Sequence, residues 1–114
     1  MVMQDSYIVV SLSKKTLTLT HSAERHVFPI AVGKPDTPTP KGTWLIQNKK
    51  ILPNNSVFGT HWLGLSKPGY GIHGTDRPDL IGQQVSGGCI RMHNTHIQYV
   101  FQHVTIGTAV TITD

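Results

Sequence analysis

Tyr7-Ile8-Val9-Val10-Ser11-Leu12-Ser13-Lys14-Lys15-Thr16-Leu17-Thr18-Leu19-Thr20 is the stretch from which the fold is read. Tyr7 to Leu12 is rich in β-branched residues and reads as a strand, and Ser13 to Lys15 reads as a turn. Leu17 and Leu19 then alternate with Thr16, Thr18 and Thr20. That two-residue period marks a strand with one face in a core and the other toward water. A third strand is expected over His26 to Val32, so the three form a meander.

Working outward, Gly33 to Gly42 is a loop, in which Pro35, Pro38 and Pro40 exclude a central strand. Strand character resumes at Thr43 to Gln47, and Pro53 to Ser56 is a turn. His61 to Leu65 and Tyr70 to His73 are short strands on either side of Ser66 to Gly69. Pro78 to Gln84 reads as a short helix, with Asp76 or Arg77 near its start and Pro78 in its first turn. A clearer helix begins near Asn94 or Thr95, where Thr95 and Gln98 fit a capping box. In it Ile97, Val100, Phe101 and Val104 follow helical spacing and should face the core. Gly107 marks the exit, and Thr108 to Thr113 is a last strand. The expectation is a mainly β, sandwich-like fold with one or two short helices, residues 1–114 forming one domain.

Composition agrees. A chain of 114 residues suits one domain and buries enough surface to fold without disulfides or metal. The chain has 11 glycines and 7 prolines, which suits a turn-rich β protein, and one cysteine, which has no partner within it. The formal charge of +4 favours anionic partners, such as acidic wall polymers or carboxylate-rich peptides. Lys49 and Lys50 are the notable basic pair, with no Lys/Arg run beside an aromatic platform, so nucleic acid is disfavoured. Met1 to Asp5 shows no charged region leading into an apolar run, so no targeting segment is read there. No window approaches a membrane span.

The chemistry concentrates between Gly71 and Asn94. Gly71-Ile72-His73-Gly74-Thr75 is followed, after a spacer, by Ser86-Gly87-Gly88-Cys89-Ile90-Arg91-Met92-His93-Asn94. Two glycines before Cys89 keep the backbone there free of side chains, so N–H groups can converge on one point as an oxyanion hole requires. A thiol reacts as thiolate, and a nearby imidazole can take its proton and return it to a leaving amine. Of the seven histidines, His73 suits this best, because it ends an apolar strand just before Gly74. A carbonyl near Gly74, or the carboxylate of Asp76, could orient its ring. Each feature has a plainer rival: a buried inert thiol, surface histidines, an ordinary Gly turn, a salt-bridging Arg91. His93 and His96 lack a clustered third ligand, so no metal is assigned.

The combined string weighs against the rivals, because it resembles the signature of the L,D-transpeptidase catalytic domain (YkuD type). That family pairs a His-Gly with a downstream Ser-x-Gly-Cys-x-Arg/Asn element, matched here by His73-Gly74 and Ser86 to Arg91. Thr37-Pro38-Thr39-Pro40-Lys41-Gly42 resembles the family's Thr-Pro-x-Gly loop. Phe58-Gly59, Trp62 and Leu63-Gly64-Leu65 resemble the strand before its histidine.

The resemblance implies Cys89 as nucleophile, His73 as base and the Gly74 carbonyl as its orienting group. It implies an oxyanion hole from the N–H groups of Gly87, Gly88 and Cys89. Arg91 would support the site and meet a substrate carboxylate, Ser86 would hydrogen-bond nearby backbone or substrate, and Tyr70 and Trp62 would meet substrate. Many members carry histidine at the position of Gly87. The implied reaction takes peptidoglycan stem peptides through a thioester, releases D-alanine and forms 3→3 cross-links, at the cell wall or envelope and without cofactor. Carbapenem β-lactams would acylate the same thiol. An L,D-carboxypeptidase, another cysteine peptidase acting on wall peptides, and a non-catalytic wall-binding module remain the alternatives.

Overall fold

The computed structural model describes residues 6–114; the reading of Met1 to Asp5 lies outside them. The predicted meander is present as β1 (Tyr7–Ser11), β2 (Thr16–His21) and β3 (Glu24–Gly33), paired antiparallel in order. Leu17 and Leu19 are fully buried and the threonines between them are not, as the alternation requires. The last strand, β9 (Ala109–Thr113), lies parallel to β1, with Ile8 level with Val110 and Val10 with Ile112.

Two ten-residue strands change partner along their length. The first half of β3 pairs with β2, while Ile30 and Ala31 pair with β8 (Ile90–Met92), and Val32 and Gly33 run beside β7 (Gln84–Ser86). Likewise β4 (Gly42–Ile51) pairs with β9 through Leu45, then with β5 (His61–Leu65) after a register shift between Ile46 and Asn48. β6 (Gly71–His73) completes the ring between β5 and β8. Because β2 also pairs with β3, the strands close on themselves, and the sheet is left with few open edges.

The interior is one apolar cluster that includes Ile8, Val10, Leu17, Leu19, Ile30, Leu63, Ile72, Ile90, Met92 and Val110. Helix α1 (Asn94–Gln102) covers one opening, burying Ile97 and Val100, with Val104 just beyond its end; Phe101 packs at the rim. Lys49 secures the helix end, donating from Nζ to the carbonyls of Phe101 and Val104 at 2.7 and 2.8 Å. Those carbonyls lack helical partners, and a cation also suits the negative end of the helix.

Three local expectations are corrected. The Thr95–Gln98 capping box does not form: the cap position is His93, with no side-chain cap bond, and Thr95 and Gln98 are exposed. The helix expected over Pro78 to Gln84 is a single 3-10 turn at Pro78–Leu80. The chain then breaks at Gly82 (φ +96°) and is drawn into β7 by bonds to β3, including Gly82 N–H to the Ile30 carbonyl. β4 runs on past Gln47 to Ile51 because its second half has a new partner in β5. No helix among the described residues is long and apolar enough to cross a membrane.

Candidate active site

β6 and β8 are parallel neighbours, with Ile72 level with Ile90 and His73 level with Arg91. Ile72 and Ile90 point into the core and are fully buried. Side chains alternate along a strand, so His73 and Arg91 occupy the opposite face, and so does Cys89, one step before the ladder and level with Gly71. Cys89 and His73 are therefore diagonal neighbours on one face, a relation that sets backbones about 7–8 Å apart. Both line a cavity of about 550 Å³, together with Arg91, Ser86, Gly87 and Phe58.

His73 is held from several sides. Its Nδ1–H donates to the Gly74 carbonyl at 2.6 Å, a buried bond that leaves the lone pair on Nε2. This carbonyl, and not Asp76, orients the ring. The indole of Trp62, its cross-strand partner, stacks on it with centroids 5.5 Å apart, and Phe58 meets it edge-on at 5.1 Å. Burial pushes the imidazole below its ordinary value of 6.5; the bond to Gly74 opposes this, and the nearby Arg91 charge adds to it. The resting ring is neutral at physiological pH.

Cys89 is half-buried, and its Sγ lies 3.8 Å from the Gly69 carbonyl. Burial pushes the thiol above its ordinary value of 9.0, against opposing contributions from the Gly71 N–H and Arg91. Burial thus favours the uncharged form of both groups. Arg91 has no carboxylate within ion-pair distance among the described residues, so its charge is available to an anion at the cavity.

The backbone around Cys89 is fixed by Ser86. Its buried hydroxyl donates to the Cys89 carbonyl at 2.6 Å and accepts the Gly88 N–H at 3.0 Å. The Ser86 carbonyl in turn accepts from the Lys34 N–H and the Thr37 hydroxyl, which ties the proline-rich loop to this turn. Two sequence expectations change. Gly88 cannot offer its N–H to an oxyanion, because Ser86 engages it; Gly88 is needed for its φ of +124° and for the ring of Tyr70 packed against it. The N–H groups of Gly87 and Cys89 have no acceptor among the described residues. Ser86 is a brace for the turn, its hydroxyl already bonded on both sides.

Tyr70 and Trp62 are not brought to the main cavity. Tyr70 covers Gly88, and Trp62 lines a smaller hollow of about 230 Å³ with Lys50, Leu52 and Phe58. The structure adds Phe58, Val57, Arg77, Leu80 and Val85 as cavity walls. It also adds Asn94. The Asn94 Oδ1 accepts the N–H groups of Thr60 and Thr75 at 3.2 and 3.1 Å, and its Nδ2 donates to the Thr75 carbonyl at 3.1 Å. It ties Thr75, the residue after Gly74, to Thr60 in the segment before β5. A side chain at Gly59 or Gly74 would collide with that amide.

Comparison with known proteins identifies the family and the fold. The family profile of the YkuD L,D-transpeptidase catalytic domain matches residues 5–112, and the chain belongs to that family. The Bacillus subtilis protein YkuD, named as an L,D-transpeptidase, is 49% identical over 107 residues, covering 93% of this chain. The chain spans 65% of that relative's length and 64% of its Bacillus licheniformis counterpart's. The solution structure of the catalytic domain of an E. faecium L,D-transpeptidase matches with a TM-score of 0.78 at 26% identity, covering 97% of this chain and 98% of that one. An L,D-transpeptidase solved in complex with imipenem matches with a TM-score of 0.81 at 25% identity, covering 95% of this chain and 58% of that one.

Proposed function

We propose that residues 1–114 form one catalytic domain that acts in the cell envelope as an L,D-transpeptidase on peptidoglycan stem peptides. The observation that supports this reading is the placement of Cys89 and His73 on one cavity beside β6 and β8, with the His73 Nδ1–H held by the Gly74 carbonyl.

In the proposed cycle the stem tetrapeptide's acyl carbonyl, before its terminal D-alanine, enters beside Cys89. His73 Nε2 takes the thiol proton as Sγ attacks. The tetrahedral oxyanion accepts from the N–H groups of Gly87 and Cys89; losing one such donor typically costs about 2.7–4 kcal/mol. The imidazolium gives its proton to the D-alanine nitrogen, the C–N bond breaks and a thioester remains. An acceptor stem's side-chain amine then attacks the thioester, loses a proton to His73 and leaves a 3→3 cross-link, while the thiol is restored. Arg91 would meet a substrate carboxylate. Water in the acceptor's place would make the same site an L,D-carboxypeptidase.

Incubation with imipenem followed by intact-mass measurement tests the assignment. The unaltered protein should gain one adduct, Cys89→Ser should gain none, and His73→Ala should react at least about a hundredfold more slowly. An adduct retained by Cys89→Ser would remove Cys89 from the mechanism. With tetrapeptide muropeptides, cross-linked dimers point to transpeptidation and shortened monomers to hydrolysis.

A further inference from the structure

Spacing along the sequence draws attention to His93 and His96, yet the fold gathers a different set. At the turn end of the β2–β3 hairpin, one ligand atom from each of His21, Glu24 and His26 lies within 4.8 Å of the others. The turn between them, Ser22 and Ala23, has φ of +48° and +66°, and that tight reversal brings His21 level with Glu24. The His21 and His26 rings stack with centroids 5.4 Å apart and planes 12° apart, so they present their edges in one direction.

Both edges meet the same atom of α1. The Tyr99 hydroxyl lies 3.0 Å from His21 Nε2 and 3.1 Å from His26 Nε2, and the Glu24 carboxylate lies 3.0 Å from His26 Nε2. A carboxylate can only accept, so His26 Nε2 carries the proton between them. The hydroxyl has one hydrogen and can serve only one of the two ring nitrogens as a donor. The Nε2 atoms of His21 and His26, a Glu24 oxygen and the Tyr99 oxygen thus form one connected cluster of four ligand atoms. A tetrahedral zinc site with bonds of about 2.0–2.1 Å has ligand–ligand edges of about 3.3 Å. Three contacts already fall near that edge, and no two of the His21, Glu24 and His26 ligand atoms lie more than 4.8 Å apart.

We propose that His21, Glu24 and His26, with Tyr99 beside them, bind a divalent transition-metal cation of the zinc type. The cation takes the Nε2 lone pair of each neutral imidazole, His26 shifting its proton from Nε2 to Nδ1, and completes its coordination with water or the Tyr99 oxygen. The two imidazoles favour zinc over calcium or magnesium, which take oxygen ligands; the carboxylate serves either. His103 stacks on His21 at 4.2 Å and donates from Nδ1 to the Tyr99 carbonyl at 2.7 Å, backing the site from the helix side. Bound there, the cation would tie the hairpin to α1. The site shares no residue with the Cys89 cavity, so it stands independently of the proposed enzymatic activity.

The test uses the Cys89→Ser chain, which removes the thiol as a competing ligand, and titrates zinc chloride by calorimetry in a non-chelating buffer. One equivalent should bind, with a rise of several degrees in melting temperature. His21→Ala and His26→Gln should each abolish that one-equivalent binding while melting cooperatively without zinc; His93→Ala should leave it intact. Absence of binding in the Cys89→Ser chain, or binding that survives both His21→Ala and His26→Gln, would overturn the proposal.

Discussion

Along β1, β2 and β9 buried and open positions alternate without a break, whereas β6 is buried along its whole length and β8 hides two of its three residues. The first region is a wall. Ile8, Val10, Leu17, Leu19, Val110 and Ile112 face inward, and the hydrogen-bond ladders run its full length. The second is a mount. Its strands are three residues long, it sits beside Gly64, Gly71 and Gly74, and its side chains are aimed by contacts from other parts of the chain: Asn94, Ser86, Trp62 and Phe58. The wall supplies stability through apolar burial, which tolerates imprecision. The mount supplies placement, which does not.

That contrast can be broken by experiment. The largest effect expected is on the wall. Leu19→Ala removes a fully buried side chain and should lower unfolding free energy by about 3 kcal/mol in denaturant titration. The rate of imipenem acylation per folded molecule should stay within about twofold, because the cavity is built elsewhere. A large fall in that rate would mean that wall and mount are coupled.

Asn94→Ala should do the reverse. It leaves the Thr60 and Thr75 groups without their partner and should cost about 2 kcal/mol in stability. It should also slow acylation by about tenfold or more, since the loop carrying the Gly74 carbonyl loosens. A variant that loses stability but acylates normally would show that His73 holds its place without the clamp.

The smallest effect belongs to the outer face of the wall. Thr43 and Thr111 share an exposed hydroxyl contact at 3.1 Å across β4 and β9. Thr111→Ala should shift stability by no more than about 0.5 kcal/mol and leave acylation unchanged. A larger shift would show that the outward face contributes to closing the barrel.

The same contrast explains what could be read from the sequence. Leu17 and Leu19 reveal β2, and Ile97, Val100 and Val104 reveal the inner side of α1, because a periodic pattern on one element records which face it buries. His73, Gly74 and Cys89 stand out because they fall within two short motifs that resemble the family's signature, which the fold sets on neighbouring strands. The engagement of Gly88 by Ser86, the clamp of Asn94 and the position of Lys49 at the end of α1 do not. Each depends on which distant backbone group arrives beside the side chain. The zinc-type cluster falls in the same class, since Tyr99 is far along the chain from His21 and His26. β7 was hidden for a related reason: Gln84 to Ser86 has no pattern of its own and becomes a strand by lying beside β3.

The central claim is that Cys89 rests as a thiol beside a neutral His73, and alkylation of Cys89 by iodoacetamide as a function of pH tests it directly. Because burial raises the thiol above 9.0, the rate should be low at neutral pH and climb only in the alkaline range, as thiolate forms. Full-rate alkylation already present at neutral pH and persisting into acid would mean a preformed thiolate–imidazolium pair, and would contradict the account.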